Sequence, residues 1–390
     1  MDPKHAGTTV SVHAGVREIA AAEWDACANP AGRPYNPFLE HAFFLSLEES
    51  GSASARAGWA PCHLALRDDA GAVAAVLPCY LKSHSNGEYV FDHAWAQAYE
   101  QAGGRYYPKL QSAVPFTPVT GPRFLVRPGF PEAEAQATLA AAAIELAKRN
   151  GASSWHVTFA REDEWTTLGD LGLLQRTDTQ YHWHNQEYED FAGFLAALSS
   201  RKRKAVRKER EQAQAAGVEI EWLTGADIRA GHWDAFFAFY MDTGSRKWGR
   251  PYLNREFFRL IGDRMGTRVL LVMGKRDGAY IAGALNFIGG DTLYGRYWGC
   301  VESHNFLHFE LCYYQAIEYA IANKIKHVEA GAQGDHKLAR GYAPETTYSL
   351  HYLADPGLAA AVADYLRRER QAVAREREIM CEALPYKRGD

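Results

Sequence analysis

At 390 residues the chain is longer than one ordinary core serves, so two domains are expected, and 47% hydrophobic with 23% charged residues describes a globular protein. With a formal net charge of −4, nothing global demands nucleic acid or an acidic membrane surface as a partner. The six cysteines, Cys27, Cys62, Cys79, Cys300, Cys312 and Cys381, form no C-x-x-C pair or zinc spacing; with no apolar run of membrane-spanning length and no apolar signal core in MDPKHAGTTV, the chain reads as cytoplasmic and metal-free.

In chain order, Trp24-Asp25 and the segment Pro37 to Ser50 read as short helices, the second from an apolar stripe through Phe38, Leu39, Ala42, Phe43, Leu45 and Leu47. His63 to Arg67, a turn at Asp69-Ala-Gly71, and Ala72 to Leu77 read as a hairpin. Glu88 to Phe91 reads as a further strand. The stretch from Asp92 is dense in aromatics, Gly and Pro, and reads as a long loop over 92–130. In it Asp92, His93, Trp95, Arg105, Tyr106, Tyr107 and Lys109 either line a cleft for a polar, stackable ligand or plug the loop onto the core. Pro131 to Asn150 has the composition of a helix, with Pro at its start and Lys148-Arg149 before Gly151 at its end. Ser154 to Phe159 and Leu173 to Asn185 read as strands. His182 and His184 share a face of the latter, but no third ligand is evident, so they read as polar-face residues.

Seven of the ten residues from 201 to 210 are Lys or Arg. Ser199 or Ser200 caps this basic helix, 199–216, and its N-terminal end with Arg203, Lys204 and Arg207 suits phosphate; a plain solvated face fits the same pattern. Arg246 and Trp248 stand in a second cationic-aromatic loop. Thr267 to Met273, a Lys275-Arg-Asp-Gly278 turn and Tyr280 to Phe287 repeat the hairpin, and Asp291 to Trp298 repeats the third strand. A helix ending AIEYAIANK and the strand IKHVEAG match AIELAKRNG and SSWHVTF of the first half. The order hairpin, strand, helix, strand thus occurs twice, as in two copies of one α/β domain. The second copy ends in KHVEAGAQGDHKLARGYAP, a strand end opening into a polar loop with glycines, a common place for chemistry. Pro356 to Leu384 carries an apolar stripe flanked by Arg and Glu and reads as a helix, docked on a lobe or forming a dimer contact.

The repeated order resembles the GNAT acyltransferase fold, and tandem copies resemble the Fem-type peptidyltransferases. The stretches FDHAWAQAYEQAGGRYYPKLQ, PFTPVTGPR, LSSRKRK, GRYWG, LHFELCYYQ and EAGAQGDHKLARGYAP resemble the FemAB-like predicted N-acyltransferases of peptidoglycan biosynthesis or recognition, over most of the chain. This resemblance implies an α/β (α+β) fold of two GNAT-like lobes, each a mixed, mostly antiparallel sheet flanked by helices. The lobes fall at 10–185 and 186–355, with a C-terminal helix over 356–390. It implies transfer of an acyl or aminoacyl group to an amine on a cell-wall-precursor-like or other small acceptor. The donor is aminoacyl-tRNA or acyl-CoA, with no tightly bound cofactor.

Amide formation needs a held donor, a group to take the amine's proton, and donors for the oxyanion. Glu329 or His336 is the expected proton acceptor, and Lys337 and Arg340 hold phosphate or the oxyanion. Gln333, Tyr297, Trp298, His308, Glu310, Arg246 and Trp248 rim the same mouth as substrate contacts. GNAT enzymes hold the acetyl-CoA pyrophosphate on a Gly-rich turn before the helix; here that turn is Gly299 to Phe306, without the G-x-G/A cradle. That weighs against an acetyl-CoA-dependent enzyme, which remains an alternative, as does a non-catalytic module recognising a peptidoglycan precursor or RNA. No nucleophile elbow, Walker loop or dinucleotide fingerprint occurs, so direct transfer fits best.

Overall fold

A computed structural model describes residues 8–247, 251–331 and 334–387. The chain forms two compact units: residues up to Asp178 with Thr346–Ala374, and Thr179–Glu345 with the residues from Arg375 on.

The first unit holds β1 (Thr9–His13), α1 (Ala21–Ala28), α2 (His41–Glu49), β2 (Trp59–Pro61), β3 (His63–Arg67), β4 (Val73–Leu77) and β5 (Tyr80–Lys82). It continues with α3 (His93–Gln101), β6 (Lys109–Ser112), β7 (Leu125–Val126), α4 (Glu132–Arg149), β8 (Ser154–Ala160) and α5 (Glu162–Asp170). β1, β3, β4 and β7 form one sheet, antiparallel throughout. β4 is buried along its whole VAAVL run, as an interior strand with both faces covered must be. β2, β5, β6 and β8 pair in that order, and only β6 and β8 among them run parallel. A parallel pair needs a crossover, and α4 supplies it. Ala135, Leu139, Ala140, Ala143 and Ala147 bring its alanine face close against the core with Trp155 and Val157, and Glu132 and Arg149 suit the helix dipole at its two ends.

The sequence reading fails here at one place. Glu88 to Phe91 is not a strand, and Tyr89 takes a left-handed φ of 61°. The third strand is β6, inside the stretch read as a loop, which also contains α3 and β7. β6 has the sequence KLQS and is buried at every position, so polar side chains occupy an interior strand and hide its period.

In the second unit lie β9 (Leu174–His184, shared across the boundary), α6 (Phe191–Ala197), α7 (Ser200–Gln214), β10 (Glu219–Thr224), α8 (Ala230–Lys247) and α9 (Arg255–Met265). β11 (Val269–Arg276), β12 (Ala279–Ile288) and β13 (Thr292–Cys300) follow. After them come a short turn, α10 (Leu307–Phe309), a π-helical turn Glu310–Tyr314, α11 (Gln315–Ala322) and β14 (His327–Glu329). β15 (Ala343–Leu353) and α12 (Pro356–Glu382) complete the chain. The order β10, β11, β12, β13, β14, β9 is antiparallel except for β13 and β14, again joined by a helical crossover. The apolar faces of α11 and the sheet form its core around Trp183, Leu293, Ile317 and Val328. Each unit thus has a parallel strand pair bridged by a helix within a mostly antiparallel sheet.

Among the described residues no helix is long and apolar enough to cross a membrane.

Candidate functional site

β13 and β14 pair for only three residues, Thr292–Tyr294 against His327–Glu329. Beyond Glu329 the chain stays with β9: Ala330 N donates to Tyr181 O at 3.2 Å, and Tyr181 N to Gly331 O at 3.4 Å. β13 runs on to Cys300 paired with β12. The two strands therefore part after Tyr294, and beyond that point no described strand pairs with this edge of β13. A cavity of about 100 Å3 occupies the opening, walled by Asn286, Arg296, Trp298, His308, Cys312 and Tyr313 among others. The helical side of the wall is the π turn, whose extra residue per turn brings Cys312 and Tyr313 to the opening; such turns recur at functional sites.

Glu329 ends β14 with its carboxylate ion-paired to Arg296, and both side chains are 1% exposed. His182 Nε2 lies 3.9 Å from the other carboxylate oxygen, and burial lowers this imidazole's pKa. A buried charge pair of this kind is held by its own attraction and is costly to break on one side.

Lys337 is buried in the helical turn Asp335–Arg340 and donates to Gly331 O at 3.2 Å. Burial lowers its pKa from 10.5 to about 8; the Cys312 thiol opposes that shift and Arg296 adds to it. Its charge is therefore coupled to two residues of the cavity wall. His336 is exposed and its Nε2 lies 3.0 Å from Tyr313 Oη. Arg340 is committed elsewhere: Nη2 reaches both Glu209 oxygens at 2.8 and 2.9 Å, Nη1 donates to His336 O at 2.6 Å, and the guanidinium stacks 3.5 Å over Phe309.

Of the residues singled out in the sequence, Tyr297, Trp298 and His308 line the cavity, and the rings of Trp298 and His308 are 5.1 Å apart. Glu329 and His336 stand behind the lining, Glu329 paired with Arg296 and His336 with Tyr313, while Lys337 bonds to Gly331 O just past the end of β14. Glu310 does not reach the cavity; fully buried, it takes Arg210 Nη2 at 2.9 Å and Gln315 Nε2 at 2.8 Å. Gln333 and Trp248 lie outside the described residues, as does the side chain of Arg246. Arg296, Asn286, Cys312 and Tyr313 were not singled out. The signal for Arg296 was present, an arginine inside the strand motif GRYWG, where an unpaired charge would not be buried.

The first-unit set forms a different object. Lys109 Nζ donates to Ser85 Oγ at 2.8 Å, Glu88 Oε2 at 2.7 Å and Asp92 Oδ2 at 2.5 Å, all buried. Tyr106 Oη donates to Asp92 at 2.8 Å and lies 3.3 Å from His156 Nε2, and His156 faces His351, Nδ1 to Nδ1, at 2.7 Å. Burial lowers His156 to about 3, so both imidazoles are neutral at ordinary pH. Trp95 packs on His351 at 4.9 Å, Tyr107 is half-buried against Ser85, and His93 is exposed beside Phe91. Asp92 Oδ2, Tyr106 and Lys109 bind one another, and Asp92 Oδ1 has no hydrogen-bond partner among the described residues.

Arg203, Lys204 and Arg207 lie on α7 with Arg201 and Lys208, and none of these five has an acidic partner among the described residues. The opposite face is anchored, since Glu209 binds Arg340 and Arg210 binds Glu310 and Glu318. Gly299, at the edge of the turn where a nucleotide cradle would sit, is a glycine for packing: a Cβ there would lie 2.2 Å from the carbonyl oxygen of Phe239 on α8. Gly299→Ala is expected to cost about 1–3 kcal/mol in chemical denaturation. Among the described residues no group of three or more His, Cys, Asp or Glu is placed to hold a metal ion.

The sequence profile of the FemAB-like family, described as peptidoglycan biosynthesis/recognition, matches residues 15–388. The chain belongs to the FemAB-like family. Two solved structures share the fold of this FemAB-like chain. FemX is 14% identical with a TM-score of 0.55, over 88% of this chain and 98% of its own. L-PGS from Bacillus licheniformis is 9% identical with a TM-score of 0.51, over 86% and 98%. No protein of curated function matches. The shared fold is a mixed α/β one in two units, each with a helix-bridged parallel strand pair in a mostly antiparallel sheet.

Proposed function

We propose that this FemAB-like protein is an N-acyltransferase that moves an acyl or aminoacyl group onto an amine in the second-unit cavity. The observation that carries the reading is the gap where β13 and β14 part, with Arg296 in its wall held by the buried Glu329, and Lys337 bonded to Gly331 O just past the end of β14. The amine nitrogen attacks the acyl carbonyl carbon, the new C–N bond forms, and the bond to the leaving oxygen or sulfur breaks. Lys337, neutral in about a tenth of molecules at pH 7, takes the proton released by nitrogen. Arg296, held in the wall by Glu329, faces the developing oxyanion. This reading exchanges roles within the set: Glu329 orients, and His336 lies at the rim with Tyr313.

The acceptor is a small or precursor-borne amine. The donor is aminoacyl-tRNA or acyl-CoA, and the unpaired basic face of α7 favours the tRNA-linked form. A salt-titrated binding assay with bulk tRNA tests this. Binding is expected to weaken steeply with salt, and Arg203→Ala/Lys204→Ala to flatten the log–log slope by about 1.5. Absence of binding at low salt removes tRNA and leaves acyl-CoA, which a thermal shift with CoA then tests. Radiolabelled acyl transfer to a panel of amines decides between an enzyme and a recognition module.

A further inference from the structure

Asn286, one of the residues lining the cavity, holds a buried acceptor atom that the proposed reaction does not use. It sits on β12 at the register shift between Leu285 and Asn286, opposite Gly295 of β13, and is 1% exposed while lining the cavity. Its Oδ1 has no hydrogen-bond partner among the described residues. The carbonyl oxygens of Leu270 and Ala284 lie 3.4 and 3.5 Å from Nδ2. Turning the amide over would set Oδ1 against both carbonyl oxygens, so the nitrogen belongs on that side and the oxygen on the other. The oxygen is held toward Gly295, where a Cβ would lie 3.4 Å from it and glycine leaves the space open. Buried carbonyl oxygens are seldom left without a donor, and an exception calls for one from outside the chain.

We propose that Asn286 Oδ1 is the recognition point for an amino group, accepting an N–H from a small primary amine or from the α-amino group of an aminoacyl moiety. Both sources present the same chemistry, an N–H donor on a short aliphatic stem. A carboxylate or phosphate offers only further acceptors and is rejected. The cavity, at about 100 Å3, holds about three waters' share of volume, which suits such a stem. The proposal rests on the cavity being the transfer site, yet it is separable from it.

Ligand-observed NMR titration of the full chain tests it, with n-propylamine for the acceptor and L-alaninamide for the aminoacyl moiety; ethyl methyl ether, which carries no N–H or O–H, and propionamide, which lacks the α-amino group, are the controls. Wild type is expected to bind one or both amines at least ten-fold more tightly than the control lacking the amino group. Preference for propylamine assigns the subsite to the acceptor, and preference for alaninamide assigns it to the donor. Asn286→Leu is expected to abolish the preference. Gly295→Ala, which would set a methyl 3.4 Å from Oδ1 in ordinary contact, is expected to lower amine affinity several-fold with the control unaffected, a change that a merely structural residue would not give. Equal binding of amine and control, or unchanged amine affinity in Gly295→Ala, overturns the proposal and leaves Oδ1 to water. If no probe binds while Lys337→Met still abolishes transfer, the amine subsite falls and the transfer site stands. If Lys337→Met transfers normally, the reading of the cavity falls instead.

Discussion

Lys337→Met is expected to lower the rate of acyl transfer by two orders of magnitude or more while making the protein more stable. The two effects have opposite signs because they have different origins. General acid–base groups contribute roughly 10²–10⁴-fold, so removing the proton acceptor costs at least the lower figure. Stability responds to burial. The ammonium is buried, and its pKa falls from 10.5 to about 8, a shift that corresponds to about 3 kcal/mol against the charged form. Methionine occupies similar space without that charge, at the loss of the bond to Gly331 O, worth about 1 kcal/mol. A net gain of about 2 kcal/mol at pH 7 is expected from urea denaturation.

The pH dependence follows with a definite sign. Between pH 8 and 10.5 the unfolded chain binds the Lys337 proton and the folded chain does not, so the contribution of this group to stability increases as pH rises through that window. It is lost as pH falls through about 8. The wild type is expected to show this limb and Lys337→Met to lack it. The transfer rate is expected to rise with the same midpoint near 8. A variant that keeps both full activity and the limb would show that another group takes the proton.

How much of this was legible in the residues differs between the two units. In the second unit the strands β11 to β14 are apolar, turn-bounded runs, and hairpin, strand, helix and strand stand where the pattern puts them. Glu329 at a strand end and Lys337 in the following glycine-flanked turn were visible for the same reason. Arg296 was not weighed, because a strand pattern alone does not say which charged residue finds a buried partner thirty-three positions away. Asn286 was hidden because the strand pattern does not reveal the register shift beside it, where Arg296 of β13 has no opposite residue on β12. In the first unit, β6 escaped notice because its interior positions are filled by Lys109, Gln111 and Ser112, polar residues satisfied only by distant partners such as Glu88, Thr158 and Trp155. Arg340 shows the converse. It reads as a phosphate contact beside His336, and the fold gives its charge to Glu209, whose place on a helix far back in the chain no local spacing reveals.

Lys109→Met in the first unit is expected to destabilise by about 3–5 kcal/mol, the range for removing one partner of a buried ion pair. Its ammonium stands among Glu88, Asp92 and Ser85 with no exposure. Burial alone would lower the pKa of Lys109, but the two carboxylates outweigh it and raise it. For Asp92, burial pushes upward, while Lys109 and His156 hold it well below the ordinary carboxylate range. Without Lys109 the remaining cation of the cluster is Lys82, 3.5 Å from Glu88 and itself lowered to about 7 by burial. Two buried carboxylates then face one weak counter-charge. The wild-type contribution of Asp92 is present above its unfolded pKa and lost as pH falls below it, so the gap between wild type and variant is expected to narrow between pH 5 and 3 as the carboxyls protonate. Lys109→Met/Asp92→Asn removes a positive and a negative charge together and is expected to recover at least about 1 kcal/mol relative to Lys109→Met. Urea curves of the three proteins at pH 4 and 7 measure these differences. A loss below 1 kcal/mol, or one that does not change with pH, would mean that the cluster opens to solvent and that Asp92, Tyr106 and Lys109 are free to meet a ligand.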